Sequence, residues 1–465
     1  MLSETIIKEL KRKAKWTEEL KRRQEAATAI DFYNYRQKEY LSDDISSRYP
    51  NEQSDIQRYK FTAPLVASLV NQLAVCFKNA PDITIKDVSD SVNEKLMQVL
   101  DACNIYKTLK QIDKYTELTG KVAVIPRWNK NRKTVVLDIC TPDKCYVMQD
   151  PTYPTEITEF GYTIGVTDNV NLAEPMNIYA VWTAENYKEA EINNAGQVMK
   201  VLRLEPNPYK RIPAAWFEIN QALDSFWLDA GNPFVELNRR INLQLTNLDI
   251  AMDYQSFSTM VTSGMNETSV IPIGVTRRIN VPIDQTTGEV IGDVKYITPA
   301  AQLETVWKII QESIIWFAGI MGISVESISQ GSNFSSGFQL KLSKMGVIDH
   351  NNDKQDLYRE SVRDLVQLVM DTVSIYGDVK FPADANINID FKDITVETDP
   401  LETEQIHAAK MANGTMDAVM ALMEDNPDLT EEEAKAKIAE IQARKRELSA
   451  PKLPPVNMTG AATNE

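Results

Sequence analysis

The sequence predicts an α+β protein whose midsection is a pair of long helices joined by a small β-rich insert. Three observations predict this fold class. Apolar residues recur every three to four positions on both sides of residues 265–299, which is the spacing of one helix face. Short β-like runs separated by Pro and Asn turns fill residues 121–220. A third long helical pattern follows a Ser- and Gly-rich loop at residues 323–337.

Length and charge narrow the function classes. The 465 residues suffice for two or three domains, and an apolar fraction of 43% is enough for a sizeable core. The formal net charge of −16 argues against tight, non-specific DNA binding, which depends on Lys and Arg neutralising phosphates. An acidic wall can still surround DNA without gripping it, because like charges repel and leave the duplex free to slide.

Cysteine content and hydropathy predict a protein of a reducing compartment with no membrane partner. Four cysteines in a chain of this length do not form a disulfide framework. No run of about 18 or more apolar residues is present, so we expect no transmembrane helix. The N-terminal stretch is rich in Lys and Arg and lacks the apolar centre of a signal peptide.

The N-terminal half is predicted to mix helices and strands. Residues 3–40 have a helical pattern, residues 41–60 are polar and irregular, and Phe61–Lys78 is an apolar helix. A short strand at Asp82–Lys86 precedes one or two helices over Ser91–Gly120. The strands that follow are predicted at Val122–Arg127, Thr134–Ile139, Cys145–Met148, Phe160–Val166, Met176–Thr183, Val198–Leu204 and Ala214–Glu218.

Two apolar-striped helices over residues 231–264 and 300–322 are predicted to form a stalk, because a helix of some 25 residues is roughly 40 Å long. The first stripe is Phe234, Leu237, Ile241, Leu245, Leu248 and Met252, and the second is Leu303, Trp307, Ile310, Ile314, Phe317 and Met321. Between the helices, β-like runs at Ser269–Val281 and Glu289–Ile297 are predicted to form a hairpin-like tip.

A third long helix is predicted over residues 338–375, followed by a late strand at residues 386–391. The centre of this helix, residues 349–356, is polar all round. We therefore expect that turn to face water or a lumen, or to kink.

The C-terminal region is predicted to be helical. Pro400 follows a capping Asp399, and Thr430 with Glu433 forms a capping box that opens the last helix. We expect Ala434, Ile438 and Ile441 to face inward from that helix. The final stretch is rich in Pro, Thr and Asn, which is typical of disorder.

The motifs argue against catalysis and against a bound metal or cofactor. His350 and His407 lie in different helical segments among polar residues, and we expect both to be exposed to solvent. Cys140 and Cys145 are interpreted as ordinary thiols of the β region, since zinc knuckles need paired motifs. The phosphate-binding loop of ATP-driven motors and the nucleophile elbow are absent. A hydrolase that uses carboxylates alone remains an alternative, because sequence cannot pair two carboxylates across a cleft.

Two pairs of arginines are candidate contact residues. Arg277 and Arg278 stand in the β insert, where they either touch phosphate or a partner carboxylate, or lie in a solvated turn. Arg239 and Arg240 lie on the polar face of the first stalk helix, where ion pairs between subunits are favoured over DNA contact.

With these parts in order, the chain resembles the portal proteins of tailed bacteriophages. Asn207–Phe217 resembles the strand that precedes the stem in many portals, and helix, small β clip and helix resemble the stem–clip–stem unit. The segment from Gly322 to Gly337 resembles the one that holds the tunnel loop, and the next helix resembles the tunnel helix. The capped helices of the tail resemble the crown. The order of the parts carries the resemblance, which covers about residues 20–448.

The resemblance implies a portal fold with an α/β wing, a two-helix stem, a small β clip, a long tunnel helix and an α-helical crown. The implied parts are a wing at 1–230, stem helices at 231–264 and 300–322, a clip at 265–299, a tunnel loop at 323–337, a tunnel helix with a late wing strand at 338–398, a crown at 399–448 and a disordered tail at 449–465.

It also implies a function without catalysis. Portals are rings of twelve subunits at one capsid vertex of the virion, and this ring would be assembled in the host cytoplasm. Double-stranded DNA would pass through the channel without sequence specificity. The terminase large subunit would dock first and head-completion or adaptor proteins later, with the major capsid and scaffold proteins as further partners. Alternatives are another virion structural protein (a head–tail adaptor or minor capsid protein) or the carboxylate hydrolase.

The implied ring gives roles to individual residues. The tunnel-loop residues that would approach DNA are Ser329, Gln330, Ser332, Asn333, Phe334, Ser335 and Ser336. Arg277 and Arg278 would meet the clip's partner. A second apolar stripe on each stem helix would pack between subunits: Leu243, Ile250, Tyr254 and Phe257 on the first, and Val306, Ile309, Trp316 and Ile320 on the second, together with Trp307.

Overall fold

The computed structural model describes residues 4–150, 152–166, 176–193, 196–220, 225–227, 231–256, 259–263, 286–288, 293–297, 303–323, 337–382, 385–392, 400–426 and 429–449. The chain divides into two compact units. The first comprises Met1–Gly331 with Ser343–Ile394, and the second comprises Ser332–Leu342 with Thr395–Glu465.

Helices and strands are both abundant, as the predicted α+β class requires. The helices are α1 (Glu4–Tyr33), α2 (Lys38–Arg48), α3 (Gln53–Ile56), α4 (Leu65–Leu73), α5 (Asp90–Ala102), α6 (Ile105–Thr119), α7 (Pro233–Ser256), α8 (Leu303–Ile320), α9 (Gly337–Tyr376), α10 (Pro400–Ala412), α11 (Ala418–Asp425) and α12 (Glu431–Ser449). The strands are β1 (Asp82–Ile85), β2 (Lys121–Asn129), β3 (Thr134–Cys140), β4 (Cys145–Gln149), β5 (Ile157–Val166), β6 (Asn177–Trp182), β7 (Asn186–Ile192), β8 (Val198–Pro206), β9 (Ala215–Glu218), β10 (Thr259–Ser263), β11 (Asp293–Ile297) and β12 (Ile387–Asp390).

Within the described ranges the strands form four antiparallel sheets. The largest is a meander in the order β4-β5-β6-β7-β8, and β2 lies between β3 and β9 in a second sheet. The late strand β12 returns to pair with β1, with Ile389 opposite Ile83. Alternate residues of β1 are buried, since successive side chains point to opposite faces of a sheet. The predicted late strand is therefore confirmed, and it pairs the end of the first unit with the first strand of that unit.

Two apolar cores of the first unit position the features described below. The body core lies between α5, α6, α9 and the strands β1, β2 and β12, and Leu109 and Tyr358 are fully buried in it. The helix core lies where α1, α4, α7 and α8 meet, and it contains Leu69 and Phe234. Val347 of α9 packs against the helix core, whereas Tyr358 lies in the body core. The long helix α9 thus contacts both cores along its length.

Three predictions about local structure are corrected. The first stalk helix ends at Ser256, so Thr259–Ser263 is a strand inside the range predicted as helix, in agreement with its β-branched residues. The range 41–60 was predicted irregular, but it contains most of α2, which buries Leu41 and Ile45 at a spacing of four. Strand β7 was not predicted because its sequence is rich in Glu and Lys. It forms because Ala190 and Ile192 are buried on one of its faces.

The second unit confirms the predicted capping box and corrects one inward residue, whereas the predicted cap Asp399 lies outside the described residues. Thr430 N–H donates to the Glu433 carboxylate at 3.0 Å, and Glu433 N–H points back to the Thr430 hydroxyl, so the capping box forms. Ala434 is buried in the following helix. Ile441 is 59% exposed, because no described element packs on that side of α12 beyond Ile438.

Candidate interface on the midsection helices

The midsection helices α7 and α8 pack along their predicted apolar stripes. The rings of Phe234 and Phe317 meet edge to face with centroids 5.8 Å apart. Ile241 and Ile310 are almost fully buried. At the far end, β10 and β11 pair with Thr259 opposite Ile297, so the two helices continue into a short antiparallel ribbon. The predicted helix–β–helix order is present in this part of the chain.

A ladder of polar side chains fixes the rotation of α7 about its axis. Asn238, Asn242 and Thr246 are spaced by four residues, so they form one row on the helix, and all three are buried. They accept hydrogen bonds from backbone N–H groups of residues 61–66, the segment that leads into α4 and includes its first turn. The pairs are Asn238 Oδ1 with Val66 N–H at 3.2 Å, Asn242 Oδ1 with Ala63 N–H at 2.8 Å and Thr246 Oγ1 with Phe61 N–H at 3.4 Å.

One side of α8 carries large apolar residues that no described part of the chain covers. At 100° per residue, Val306, Ile309, Trp316 and Ile320 fall on one stripe. We call these four residues the α8 stripe. Their exposed fractions are 40%, 49%, 70% and 59%. Trp307 is also exposed but points to a different side of the helix. A contiguous exposed stripe of this kind marks an interaction surface rather than ordinary surface variation.

The end of α8 is fixed against α9 through two glycines. Gly322 has a φ of +72°, and the backbone N–H of Ile323 donates to the carbonyl of Ala318 at 2.9 Å, which is the Schellman arrangement of a helix end. Gly346 of α9 lies against this turn. A Cβ added at Gly346 would stand 2.5 Å from the carbonyl oxygen of Gly322. The two backbones therefore meet at a distance that no larger residue permits.

A buried ionic cluster connects α9 to α6 just beyond this contact. Lys354 is 1% exposed, and its ammonium donates to Asp113 Oδ1 at 2.9 Å, to Glu117 Oε1 and to the carbonyl of Leu73 at 3.2 Å. All three ammonium protons are thus used. His350 Nε2 lies 2.8 Å from Glu117 Oε1, and its side chain is 31% exposed. We call these four side chains the Lys354 cluster.

The titration behaviour of the cluster follows from burial and from its charge pairs. Burial raises the pKa of Asp113 above its ordinary value, and Lys354 offsets only part of this. Burial also acts to raise the pKa of Glu117, but the hydrogen bond from His350 and the charge of Lys354 outweigh it, so that pKa is lowered. Burial acts to lower the pKa of Lys354, but Asp113 and Glu117 outweigh it, so that pKa is raised. The cluster therefore holds Lys354 and Glu117 in their charged forms.

The segment that precedes the midsection is attached to the far half of α9. The Asn207 amide donates to the carbonyls of Thr183 at 2.8 Å and Arg211 at 2.7 Å, which closes the turn. Arg211 then pairs with Asp364 of α9 at 2.5 Å. The Asn207–Phe217 motif thus links the large sheet to α9 immediately before the chain enters the midsection.

The described residues show no metal site and no membrane-spanning segment. Within the described ranges, His, Cys, Asp and Glu side chains do not gather in groups of three or more that could hold a metal ion. In the same part of the chain, none of the helices combines the length and the hydropathy that crossing a membrane requires.

Comparison with known families shows which family the chain belongs to. The family model described as phage portal protein, SPP1 Gp6-like, matches residues 12–449. The chain belongs to this family of phage portal proteins. The portal family is a structural one, which agrees with the prediction of a protein without catalysis. No functionally curated protein matches the chain.

Chains of the gene transfer agent particle are among the solved structures that match at low identity. A chain of the neck of the empty gene transfer agent particle, computed with C6 symmetry, is 11% identical with a TM-score of 0.43, and the match covers 79% of the portal chain described here and 92% of that chain. A chain of the virion of the native particle is 11% identical with a TM-score of 0.43. That match covers 79% of the chain described here and 91% of the other chain. A chain of the neck of the native particle, computed with C12 symmetry, is 10% identical with a TM-score of 0.42. That match covers 80% of the chain described here and 92% of the other chain.

The portal residues predicted from sequence are only partly described. Val306, Trp307 and Trp316 are exposed on α8, and Ile250 is half-buried on α7. Tyr254 belongs to α7, but its side chain lies outside the described residues, as does Phe257. The predicted tunnel-loop residues (Ser329, Gln330, Ser332, Asn333, Phe334, Ser335 and Ser336) and the clip arginines (Arg277 and Arg278) also lie outside them. The roles of these residues remain predictions.

Several predictions about polar residues are wrong. The turn at residues 349–356 does not face water on all sides, because Asn351 and Lys354 are buried against the body. His350 bonds to Glu117, and His407 is only 6% exposed, between Glu424 and Asp425. His407 is therefore buried beside two carboxylates, whereas the His350 side chain stays 31% exposed beside one.

One arginine of the first stalk helix has a partner within the same chain. Arg239 donates from Nε to Asp44 Oδ2 of α2 at 3.0 Å. Ion pairs of Arg239 and Arg240 with another subunit stay a prediction. Sequence reasoning missed the polar ladder that positions α7 and the Lys354 cluster that positions α9. The four-residue spacing of Asn238, Asn242 and Thr246 on an otherwise apolar face was a signal for the polar ladder.

Proposed function

We propose that this portal protein assembles into a ring of twelve subunits at one vertex of the capsid, through which the genome enters and leaves the virion. The α8 stripe carries the proposal, because a subunit alone leaves four large apolar side chains in water. Family membership supports it. In this proposal the ring has no catalytic activity, needs no cofactor and is assembled in the host cytoplasm.

The parts of the fold have separate roles in the proposed ring. The helix pair α7 and α8 is the stem, the ribbon of β10 and β11 leads into the clip, α9 is the tunnel helix, and the helices of the second unit form the crown. The sheets packed around the body core belong to the wing. The loop at 323–337 approaches DNA.

In the proposed ring, the α8 stripe is covered by the next copy of the chain. Burying one large apolar side chain contributes roughly 1.5–3 kcal/mol, and Trp316 and Ile320 are both more than half exposed in the single chain. A head-to-tail ring repeats this contact at every subunit boundary until the ring closes. The polar ladder supports this role, since it holds α7 at one rotation and so determines which side of the helix pair faces outward.

The net charge of the chain suits a channel through which DNA passes better than a surface that binds DNA tightly. A subunit with a net charge of −16 repels a polyanion, so a ring of such subunits offers DNA a wall with little attraction. In this proposal the clip docks the terminase large subunit during packaging and head-completion or adaptor proteins afterwards. The major capsid and scaffold proteins contact the outside of the ring.

Ile320 and Ile441 provide a matched test of assembly. Each is an isoleucine on a helix with 59% of its surface exposed, but only Ile320 belongs to the α8 stripe. Light scattering of wild-type protein should give a particle of several hundred kilodaltons, against 52.6 kDa for one chain. Ile320→Glu should shift this to small species with an unchanged circular dichroism spectrum, and Ile441→Glu should not.

Two outcomes would overturn the proposal. One is a wild-type protein that stays monomeric at micromolar concentration. The other is an Ile320→Glu variant that assembles as the wild type does, which would remove the α8 stripe from the interface.

The DNA-facing loop needs a separate test. Replacing Ser332–Ser336 by a single Gly should leave ring assembly intact and impair DNA packaging or retention in particles. Failure of ring assembly in this variant would instead assign the loop a structural role and contradict its place in the channel.

A further inference from the structure

We propose that the turn between β2 and β3 is a contact site for the phosphate backbone of double-stranded DNA. The turn carries Lys130, Arg132 and Lys133 within four residues, and all three are exposed to solvent. We call these three side chains the basic turn. The proposal rests on the proposed function only in that it takes DNA to lie beside the subunit, since the contact itself is measured on purified protein.

The basic turn is a positive patch on an acidic chain. The formal net charge of the chain is −16, yet residues 129–134 contain three cations and no carboxylate. In the part of the chain that the structure describes, none of the three cationic side chains has an ion pair or a hydrogen-bond partner. The neighbouring Arg127, by contrast, pairs with Asp138 of β3. The basic turn can therefore bind an external anion without breaking a contact among the described residues.

The backbone holds the basic turn in a fixed shape. Asn129 Oδ1 accepts hydrogen bonds from the N–H groups of Asn131 and Arg132, both at 3.0 Å. At the base of the turn, Trp128 pairs with Val135 across the two strands and packs against the body core. The cations thus stand on an anchored hairpin, so binding an anion there orders little backbone.

Lys133 has a backbone conformation that ordinarily favours another residue. Its φ is +50°, in the left-handed region where Gly or Asn is usual. This conformation costs a residue with a Cβ roughly 1–2 kcal/mol. Lysine at this position is therefore unfavourable for the turn itself, and strain of this kind is typical of residues whose side chain has a function.

The chemistry of the basic turn fits DNA better than a protein surface. Residues 129–134 include no apolar side chain, whereas the centre of a protein–protein interface is apolar and poor in Lys. Interfaces with DNA are instead polar and rich in positive charge. A duplex carries one negative charge per roughly 1.7 Å of its axis, so three cations on one turn can meet neighbouring phosphates. Arg132 can bind a phosphate through two parallel hydrogen bonds, and the two lysines act as point charges.

Such a contact is weak and depends on salt rather than on base sequence, because it uses only the phosphates. The rest of the acidic chain repels DNA, so the contact does not trap the duplex. Each subunit of the proposed ring carries one basic turn, which distributes the contact over the ring.

The salt dependence of DNA binding tests the basic turn. Fluorescence anisotropy of a short labelled duplex, between about 50 and 200 mM salt, measures its affinity for the purified protein. Each neutralised phosphate contributes about −0.9 to the slope of log affinity against log salt, so three contacts predict a roughly fortyfold fall across this range. The triple variant Lys130→Gln, Arg132→Gln and Lys133→Gln should remove about 2.7 units of this slope. Its circular dichroism spectrum should stay that of the wild type, because all three side chains are exposed.

A charge-matched variant separates a local contact from a general effect of net charge. The variant Lys107→Gln, Lys110→Gln and Lys114→Gln removes the same three charges from α6. It should leave the slope nearly unchanged, because these lysines lie on a different element from the basic turn.

Three results would overturn the proposal. The first is a wild-type protein that does not bind the duplex at about 50 mM salt. The second is an equal loss of slope in the two triple variants, which would reduce the effect to net charge. The third is poly-glutamate that displaces the labelled duplex as well as unlabelled DNA does, which would assign the basic turn to an acidic protein surface. Light scattering of the same samples reports assembly separately, so the DNA contact can fail while the ring stands, and the reverse.

Discussion

The ammonium of Lys354 lies 2.9 Å from the Asp113 carboxylate in the interior of the chain, and both side chains are 1% exposed. A charge so deeply buried is tolerated only because each of its protons has an acceptor. The pair joins the middle of α9 to α6, and its loss would leave Asp113 and Glu117 as neighbouring buried anions.

Replacing Lys354 by Met should lower the free energy of unfolding by about 3–5 kcal/mol, because removing one partner leaves buried charge uncompensated. Thermal or denaturant unfolding measures the change. Lys435→Met is the control, since Lys435 is well exposed and pairs only with Glu431 one helical turn away. A loss below about 1 kcal/mol for Lys354→Met would show that water reaches the cluster.

Glu117→Gln should change how the free energy of unfolding depends on pH in the acidic range. The pKa of Glu117 is lowered in the folded chain, so its ionised form contributes stability that is fully present above the unfolded value of about 4.3. That contribution is lost as the pH falls through the lowered pKa. The gap between the wild type and Glu117→Gln should therefore be widest near pH 7 and narrow below about pH 4. Unfolding midpoints across this range measure it, with the exposed Glu440→Gln as the comparison. A constant gap would contradict the assigned direction.

Asn242→Ala should destabilise the attachment of α7. The change leaves the partly buried N–H of Ala63 and the buried amide oxygen of Gln37 without their partners, at a cost of about 1–3 kcal/mol for each unsatisfied group. Asn51→Ala removes an exposed amide and should stay within about 0.5 kcal/mol of the wild type. Equal unfolding midpoints in the two variants would mean that water replaces the ladder.

Two glycine substitutions should act in opposite directions. Gly346→Ala should destabilise by about 1–3 kcal/mol, because the new Cβ meets the backbone of Gly322 at 2.5 Å. Gly319→Ala should stabilise by about 0.5–1 kcal/mol, because Gly319 lies in α8 with open space where its Cβ would be. The same thermal unfolding assay measures both. A neutral Gly346→Ala would show that α9 can move away from the α8 terminus.

The parts of the fold that depend on local pattern were predictable from the sequence. The stripes of α7 and α8 follow helical spacing, so the exposure of Trp316 and the burial of Ile310 both follow from the pattern. The pairing of Thr430 with Glu433 is likewise local, since the two residues are three positions apart. The tip of the midsection was less predictable, because the change from helix to strand after Ser256 depends on pairing with β11.

The polar connections of the interior were not predictable, because their partners are far apart in the chain. Lys354 and Glu117 are 237 positions apart, and Asn238 and Val66 are 172 apart. A single sequence shows Lys354 only as one charge in a polar turn, for which solvent is the ordinary environment. The polar ladder and the Lys354 cluster both lie on helices whose neighbours depend on the fold as a whole.

The meeting of Gly322 and Gly346 also has an evolutionary consequence. The stretch of chain between them starts and finishes at almost the same point, so its length and composition can diverge among relatives while the surrounding helices keep their places. Lengthening such a closed excursion carries only a small entropic penalty, which grows with the logarithm of its length. A change in the length of that stretch can therefore leave the contact between Gly322 and Gly346 in place.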